Sequence, residues 1–175
     1  MIETSRLLIQ PLTVDQLQKY LRNDFSLEEE LRLKKIKRII TPQLRDALHH
    51  TILPNASDPE KNYLFCTLWS AISKDGREMV GEICFTDVPN QLGEIEIGYG
   101  THEEFQNMGY MTEIVSGIII WASSQPSILK IIANTDKTNQ ASFKVLLKNG
   151  FMLEGETEAV HKWVLNFQNK SPHEL

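Results

Sequence analysis

Residues 94–113, EIEIGYGTHEEFQNMGYMTE, constrain the fold more than any other stretch of this chain. Ile95, Ile97 and Tyr99 alternate with Glu94, Glu96 and Gly98, the period of a strand with one buried face. A polar loop follows over 101–107. From Gly109 onward, Met111, Ile114, Val115, Ile118, Ile119 and Ala122 recur at helical spacing. A strand that runs through a short loop straight into a helix presents the unpaired N–H groups of the first helical turn to a ligand. Residues 105–109 carry no carboxylate, and Met108 offers no side-chain cap, so those amides are left for an anion. No lysine follows the glycine, which excludes the P-loop pattern of ATP sites.

The remaining chain reads as alternating strands and helices. Residues 6–10 form a strand stopped by Pro11, and Thr13 caps a short helix carrying Val14, Leu17 and Leu21. Ser26 with Glu29 reads as a capping box opening a helix through Ile39, with the basic residues of 32–38 on a solvated face. Thr41 and Pro42 start a second helical piece to Leu53, and 54–59 form a loop. Residues 63–72 and 79–86 are strands joined across Asp75-Gly76, apolar on both faces and therefore central. Pro126 ends the helix that begins at Gly109, and 128–133 is a strand apolar on both faces, parallel to the strand of Glu96. Asn139 caps a last helix through Lys148, closed by Asn149-Gly150. Residues 151–153 and 160–167 supply the last strands, and 168–175 a frayed tail.

Bulk properties narrow the function classes. At 175 residues, 41% hydrophobic and 23% charged, the chain is sized for one domain, 1–167. A formal charge of −5 argues against a nucleic-acid or membrane surface, and no apolar run reaches membrane-spanning length. Cys66 and Cys84 lie in apolar runs and read as reduced core thiols of a cytoplasmic protein, a disulfide being left open. His49, His50, His102, His161 and His173 show no ligand spacing beyond the adjacent pair, so no metal site is expected. That pair is expected to meet the carbonyls of a helix end. There is no nucleophile elbow, which agrees with direct attack by a nucleophile rather than a covalent intermediate.

Three stretches carry a family resemblance. Gln106-Asn107-Met108-Gly109-Tyr110-Met111 resembles the pyrophosphate loop Q/R-x-x-G-x-G/A of the GNAT N-acyltransferases, with Met111 where a tiny residue is usual. Asn139, Ser142 three residues on, and Gly150-Phe151 after the helix resemble the family's second signature. The opening ETSRLLIQPLT resembles the GNAT branch that acetylates ribosomal-protein N-terminal amines. The resemblance spans 3–167. It implies an α/β fold with one mixed sheet, antiparallel at its N-terminal side, whose two central parallel strands splay to admit a cofactor. It also implies acetyl-CoA as co-substrate, a primary amine as acceptor, and residues 26–60 as the helical region over the acceptor end. In this reading the backbone of Tyr99, Gly100 and Thr101 pairs with the pantetheine amides. Residues 106–111 hold the diphosphate, and Asn134, Asn139 and Ser142 also contact the cofactor. Peptide N-terminus, lysine, polyamine, aminoglycoside and amino acid all remain open as acceptors, as does a homodimer.

The catalytic candidates follow. Glu96 matches the family's glutamate on this strand and shares a face with Gly98 and Gly100, which leaves room beside its carboxylate for a thioester arm. It is the expected base. Many GNAT enzymes place a tyrosine seven residues after the asparagine of the last helix, and here that position is Leu146. A leaving thiolate, with a reference pKa near ~8.5, needs little help, and Ser142 or a water it holds can donate. Met111 keeps the loop intact if its backbone is helical and its side chain turns into the core. The alternative reading is a GNAT-like acyl-CoA-binding sensor or interaction module with little turnover, and a third is an unrelated α/β binding protein.

Overall fold

The described residues, 1–167, of the computed structural model place eight strands in one sheet, in the order β1-β2-β3-β4-β5-β6-β8-β7. In chain order the elements are β1 (Ile2–Glu3), β2 (Leu7–Pro11), α1 (Val14–Arg22), α2 (Ser26–Leu31), α3 (Pro42–Ala47) and α4 (Leu53–Ala56). Then come β3 (Leu68–Ser73), β4 (Met79–Phe85), β5 (Glu94–Thr101), α5 (Tyr110–Ser123), β6 (Lys130–Asp136), α6 (Gln140–Lys148), β7 (Met152–Glu156) and β8 (Val160–Asn166). Every neighbouring pair is antiparallel except β5 and β6. The parallel pair is hydrogen-bonded only over Glu94–Lys130, Ile95–Ile131 and Glu96–Ile132. Beyond that point β5 stays with β4 and β6 stays with β8, so a wedge opens between the two central strands. The mixed α/β sheet and its splayed parallel pair are those expected.

Two apolar cores flank the sheet. One packs α5 against β2, β4 and β5, with Trp121 inserted among Phe65, Trp69 and Phe85 at ring-centroid distances of 5.0–5.6 Å. Gly117 lets α5 approach closely, because a side chain at that position would begin 3.0 Å from Ile9 Cδ1, which would have to shift. The other core gathers Leu12, Leu17, Tyr20, Leu27, Leu48, Ile52, Leu68 and Met79 beneath α1–α4.

Helix starts with a local signal fall where expected. Thr13 and Gln16 form a reciprocal capping box, Thr41 caps α3 ahead of Pro42, and Asn139 accepts from the Ser142 amide. Ser26 does not cap. Its amide and hydroxyl both donate to Asp24 Oδ1, and it is itself the first helical residue of α2, with a left-handed Phe25 at the cap position. α2 then stops at a left-handed Arg32 instead of running to Ile39. Beyond that end Arg38 turns inward to pair with Glu28 at 3.3 Å and stack on Tyr20. It is 3% exposed, so 32–38 is not simply a solvated face. The second helical piece extends past Pro54 to Ala56. A π turn over Leu48–Ile52, with the Leu53 amide bonded to the Leu48 carbonyl, absorbs the register change ahead of the proline.

Smaller departures have similar causes. Residues 63–65 form a 3-10 turn, and Trp69 Nε1 donates to the Leu64 carbonyl, so β3 begins only at Leu68. The β3–β4 hairpin turns with positive φ at Arg77, not at Gly76. β6 begins at Lys130 and alternates buried with more exposed residues, so it is not buried on both faces. His49 and His50 sit in the π turn, and His50 faces Asp46 at 3.5 Å rather than helix-end carbonyls. Cys66 and Cys84 are free thiols. No helix among the described residues is long and apolar enough to cross a membrane. The expected tail, 168–175, lies outside the described residues.

Candidate functional site

The wedge between β5 and β6 is continuous with a larger cleft, since the two share lining residues. A cavity of about 220 Å³ lies in the wedge itself, lined by Ile97, Gly98, Ala133, Asn134 and Asp136 among others. A larger one of about 570 Å³ runs from Tyr99–Thr101 along the loop to α6. Tyr99, Asn139 and Ser142 line both, so they stand at the junction. There the Tyr99 hydroxyl and Ser142 Oγ are 2.7 Å apart. Burial raises the Tyr99 phenol above its ordinary value, and the hydrogen bond with Ser142 opposes that. A hydroxyl pair facing the space where a strand has lost its partner can hold or pass a proton.

At the wide end the loop does what its composition suggests. Glu103–Phe105 makes a 3-10 turn, Asn107 and Gly109 take left-handed φ of 61° and 77°, and α5 begins at Tyr110 with no side-chain cap. Its first amides therefore face the cleft unpaired. Gln106, Asn107, Gly109, Tyr110 and Met111 line the cleft and Met108 does not. Met111 is helical and only 6% exposed, its side chain packed in the core, so the unusual residue leaves the loop's backbone shape intact. Lys144 and Lys148, one turn apart on α6, line the opposite wall. Cations facing an uncapped helix N-terminus suit a polyanion. Neither lysine is signalled by the sequence, because only the packing of α6 against the loop aims them there.

The two β5 glutamates differ. Glu94 is held by Lys130 at 2.8 Å and Asn90 at 3.1 Å, and the Lys130 bond foremost keeps its carboxyl below the usual value. Glu96, on the last paired rung before the strands part, accepts a 3.0 Å hydrogen bond from Nδ2 of Asn134, two residues beyond its rung partner Ile132. The face it shares with Gly98 and Gly100 is less empty than alternation along β5 implies. Cys84 Sγ and Glu82 Oε1 lean over from β4, 3.8 and 3.4 Å from where the Gly98 and Gly100 side chains would begin. Burial first, then Glu82, pushes the Cys84 thiol up to about 11. Glu82 Oε2 lies 2.7 Å from His102 Nε2, while His102 Nδ1 lies 2.9 Å from the Met79 carbonyl. A carbonyl only accepts, so Nδ1 carries a proton and a further one bridges Nε2 and Oε2. Sequence spacing missed this pair because it depends on the β4–β5 register.

Comparisons with known proteins converge on one family. A family profile described as an acetyltransferase (GNAT) domain matches residues 6–152. The chain is 33% identical over 96 residues to the uncharacterized N-acetyltransferase YjdG of Bacillus subtilis. That alignment covers 55% of this chain and 57% of the relative, so the chain spans little more than half of that protein. Among solved structures, the ribosomal-protein-S5-alanine acetyltransferase of Vibrio fischeri superposes with a TM-score of 0.66 at 17% identity, over 97% of this chain and 98% of that one. A ribosomal L7/L12 α-N-protein acetyltransferase in complex with coenzyme A does so with a TM-score of 0.66 at 17% identity, over 93% and 95%. At such identities the likeness is one of fold.

Proposed function

Since the chain belongs to the GNAT acetyltransferase family, we propose that it is an acetyl-CoA-dependent N-acetyltransferase. It moves the acetyl group to a primary amine by direct attack. The observation that carries this reading is the cleft: a strand wedge that opens onto an uncapped helix N-terminus behind a left-handed glycine. The diphosphate lies against the amides of 107–111, where each charge-assisted hydrogen bond and the helix dipole contribute roughly a kcal/mol. The pantetheine arm enters the wedge, pairing with the β5 backbone at Tyr99–Thr101, beside Asn134 and Asn139.

In the reaction the amine nitrogen forms a bond to the thioester carbon and the C–S bond breaks, sending its electron pair to sulfur. Glu96, oriented by Asn134, takes the amine's proton, directly or through a water. Ser142 and the Tyr99 hydroxyl bonded to it supply a proton to the thiolate, in place of a helix tyrosine at the buried Leu146. This hydroxyl pair favours a working enzyme over a binding module without turnover. The acceptor is a protein N-terminus or a small-molecule amine, and a panel of both with thiol-release detection distinguishes them. For the cofactor, acetyl-CoA raises the melting temperature in proportion to the logarithm of its concentration once above Kd. Gly109→Asp sets a carboxylate against the diphosphate and strains a left-handed position, and it removes that shift. A full shift in this variant places the ligand elsewhere.

A further inference from the structure

We propose that Arg6, at the entrance to β2, is the positioning residue that sets the anion-binding shape of the 106–111 loop. The inference rests on reading that loop as the diphosphate site. Arg6 Nη1 donates to the Met108 carbonyl at 3.0 Å, and Arg6 Nε donates to Glu113 Oε2 at 2.7 Å. Glu113 Oε1 also accepts from the Arg6 amide and from Thr4 Oγ1, each at 2.7 Å. The guanidinium lies 4.5 Å over the Tyr110 ring. One side chain therefore ties the loop's central carbonyl to the first turn of α5.

Peptide planarity converts this tie into a statement about the ligand. In a trans peptide the carbonyl of Met108 and the N–H of Gly109 point in opposite directions, and no peptide here is cis. Arg6 and Met108 do not line the cleft, whereas Asn107, Gly109 and Tyr110 do. Drawing the Met108 carbonyl out toward Arg6 thus turns the Gly109 amide inward, toward the anion. Without Arg6 the 108–109 peptide is free to rotate about ψ of Met108 and φ of Gly109, a glycine whose φ is free to change sign, which can bring the carbonyl oxygen to face the diphosphate. Glu113 has the complementary task of holding Arg6. Burial raises its carboxyl, but the hydrogen bonds from Thr4 and Arg6 outweigh this and leave it below the usual value.

The test compares two ligands that share the acetylated arm but not the diphosphate: acetyl-CoA and S-acetylpantetheine. Dissociation constants are measured on the whole chain, the weaker ligand by NMR titration. Arg6→Ala raises the acetyl-CoA constant about tenfold, the scale of losing one charge-assisted hydrogen bond. It leaves the S-acetylpantetheine constant unchanged. Arg6→Lys does not restore binding, because one ammonium cannot reach both Glu113 and the Met108 carbonyl in the fork geometry of a guanidinium. Glu113→Gln, which keeps both residues but loosens the clamp, shows the same selective pattern with a smaller amplitude, and decides the matter if Arg6→Ala does not fold. Equal weakening of both ligands, or unchanged acetyl-CoA binding, overturns the inference. A wild type that binds acetyl-CoA no better than S-acetylpantetheine overturns the reading of the loop itself.

Discussion

Glu94 and Glu96 stand two residues apart on one face of one strand, and only their neighbours separate their chemistry. Lys130 and Asn90 consume Glu94, while Glu96 keeps one oxygen clear of any described hydrogen bond. How much a base matters depends on the acceptor. An α-amine, with pKa ~7.7–8.0, is neutral at pH 7 for about 1 kcal/mol, whereas a lysine ε-amine near ~10.4 costs roughly 4–5 kcal/mol. Glu96→Gln preserves size and the Asn134 contact, so it should leave acetyl-CoA affinity nearly unchanged and lower kcat. The loss is ~10²-fold or more for a lysine-like acceptor, and smaller and recoverable at high pH for an α-amine. Wild-type kcat at pH 7 on the best acceptor would remove Glu96 from the mechanism and leave positioning as the main catalytic device. Glu96, Gly98 and Gly100 were legible as one face because alternation is a property of a single strand. Glu82, Cys84 and His102 were not, because which residue of β4 lies beside which of β5 is fixed only when the sheet forms.

At the scale of elements, α6 shows one residue serving two purposes. Asn139 Oδ1 accepts the Ser142 amide, closing the first turn, and Asn139 also lines both parts of the cleft. Asn139→Ala should therefore cost about 1 kcal/mol of stability by urea unfolding and also weaken acetyl-CoA binding. A stability loss with an unchanged dissociation constant would make the cap its whole role. Caps of this kind were readable in advance at Thr13, Thr41 and Asn139, since donor and acceptor sit within a turn of each other. Ser26 carries the same local signal and fails, because the helix takes it in as its first residue and leaves Phe25 at the cap position. Likewise Pro54 marks a helix stop in sequence, yet the chain passes it through a π turn, at a place where Leu48 and Ile52 are both buried in the core beneath α1–α4.

For the molecule as a whole, the question is how α1–α4 are fixed to the sheet, since residues 32–40 contribute no regular structure to do it. The tie is a buried ion pair. Glu28 from α2 and Arg38 are 1% and 3% exposed, Arg38 stacks on Tyr20 of α1, and its Nη1 lies 3.1 Å from Met79 Sδ of β4. Arg38 thus touches two helices and the sheet at once. Desolvating two charges offsets most of their attraction, so the pair adds little net stability; what it sets is the path of the chain. Removing one partner is a different matter, because the other is left charged in an apolar surround. Arg38→Met should cost about 3–5 kcal/mol by urea unfolding. Combining it with Glu28→Leu should return most of that loss, since no buried charge then remains. The double variant should keep its acetyl-CoA affinity, because the 106–111 loop is held from Arg6 and Glu113 instead. It should nevertheless lose acceptor affinity if the 32–40 segment shapes the acceptor end, seen as a raised KM for the amine at unchanged KM for acetyl-CoA. A double variant as unstable as Arg38→Met alone would show that the stack on Tyr20, rather than the charge left on Glu28, is what the single substitution destroys.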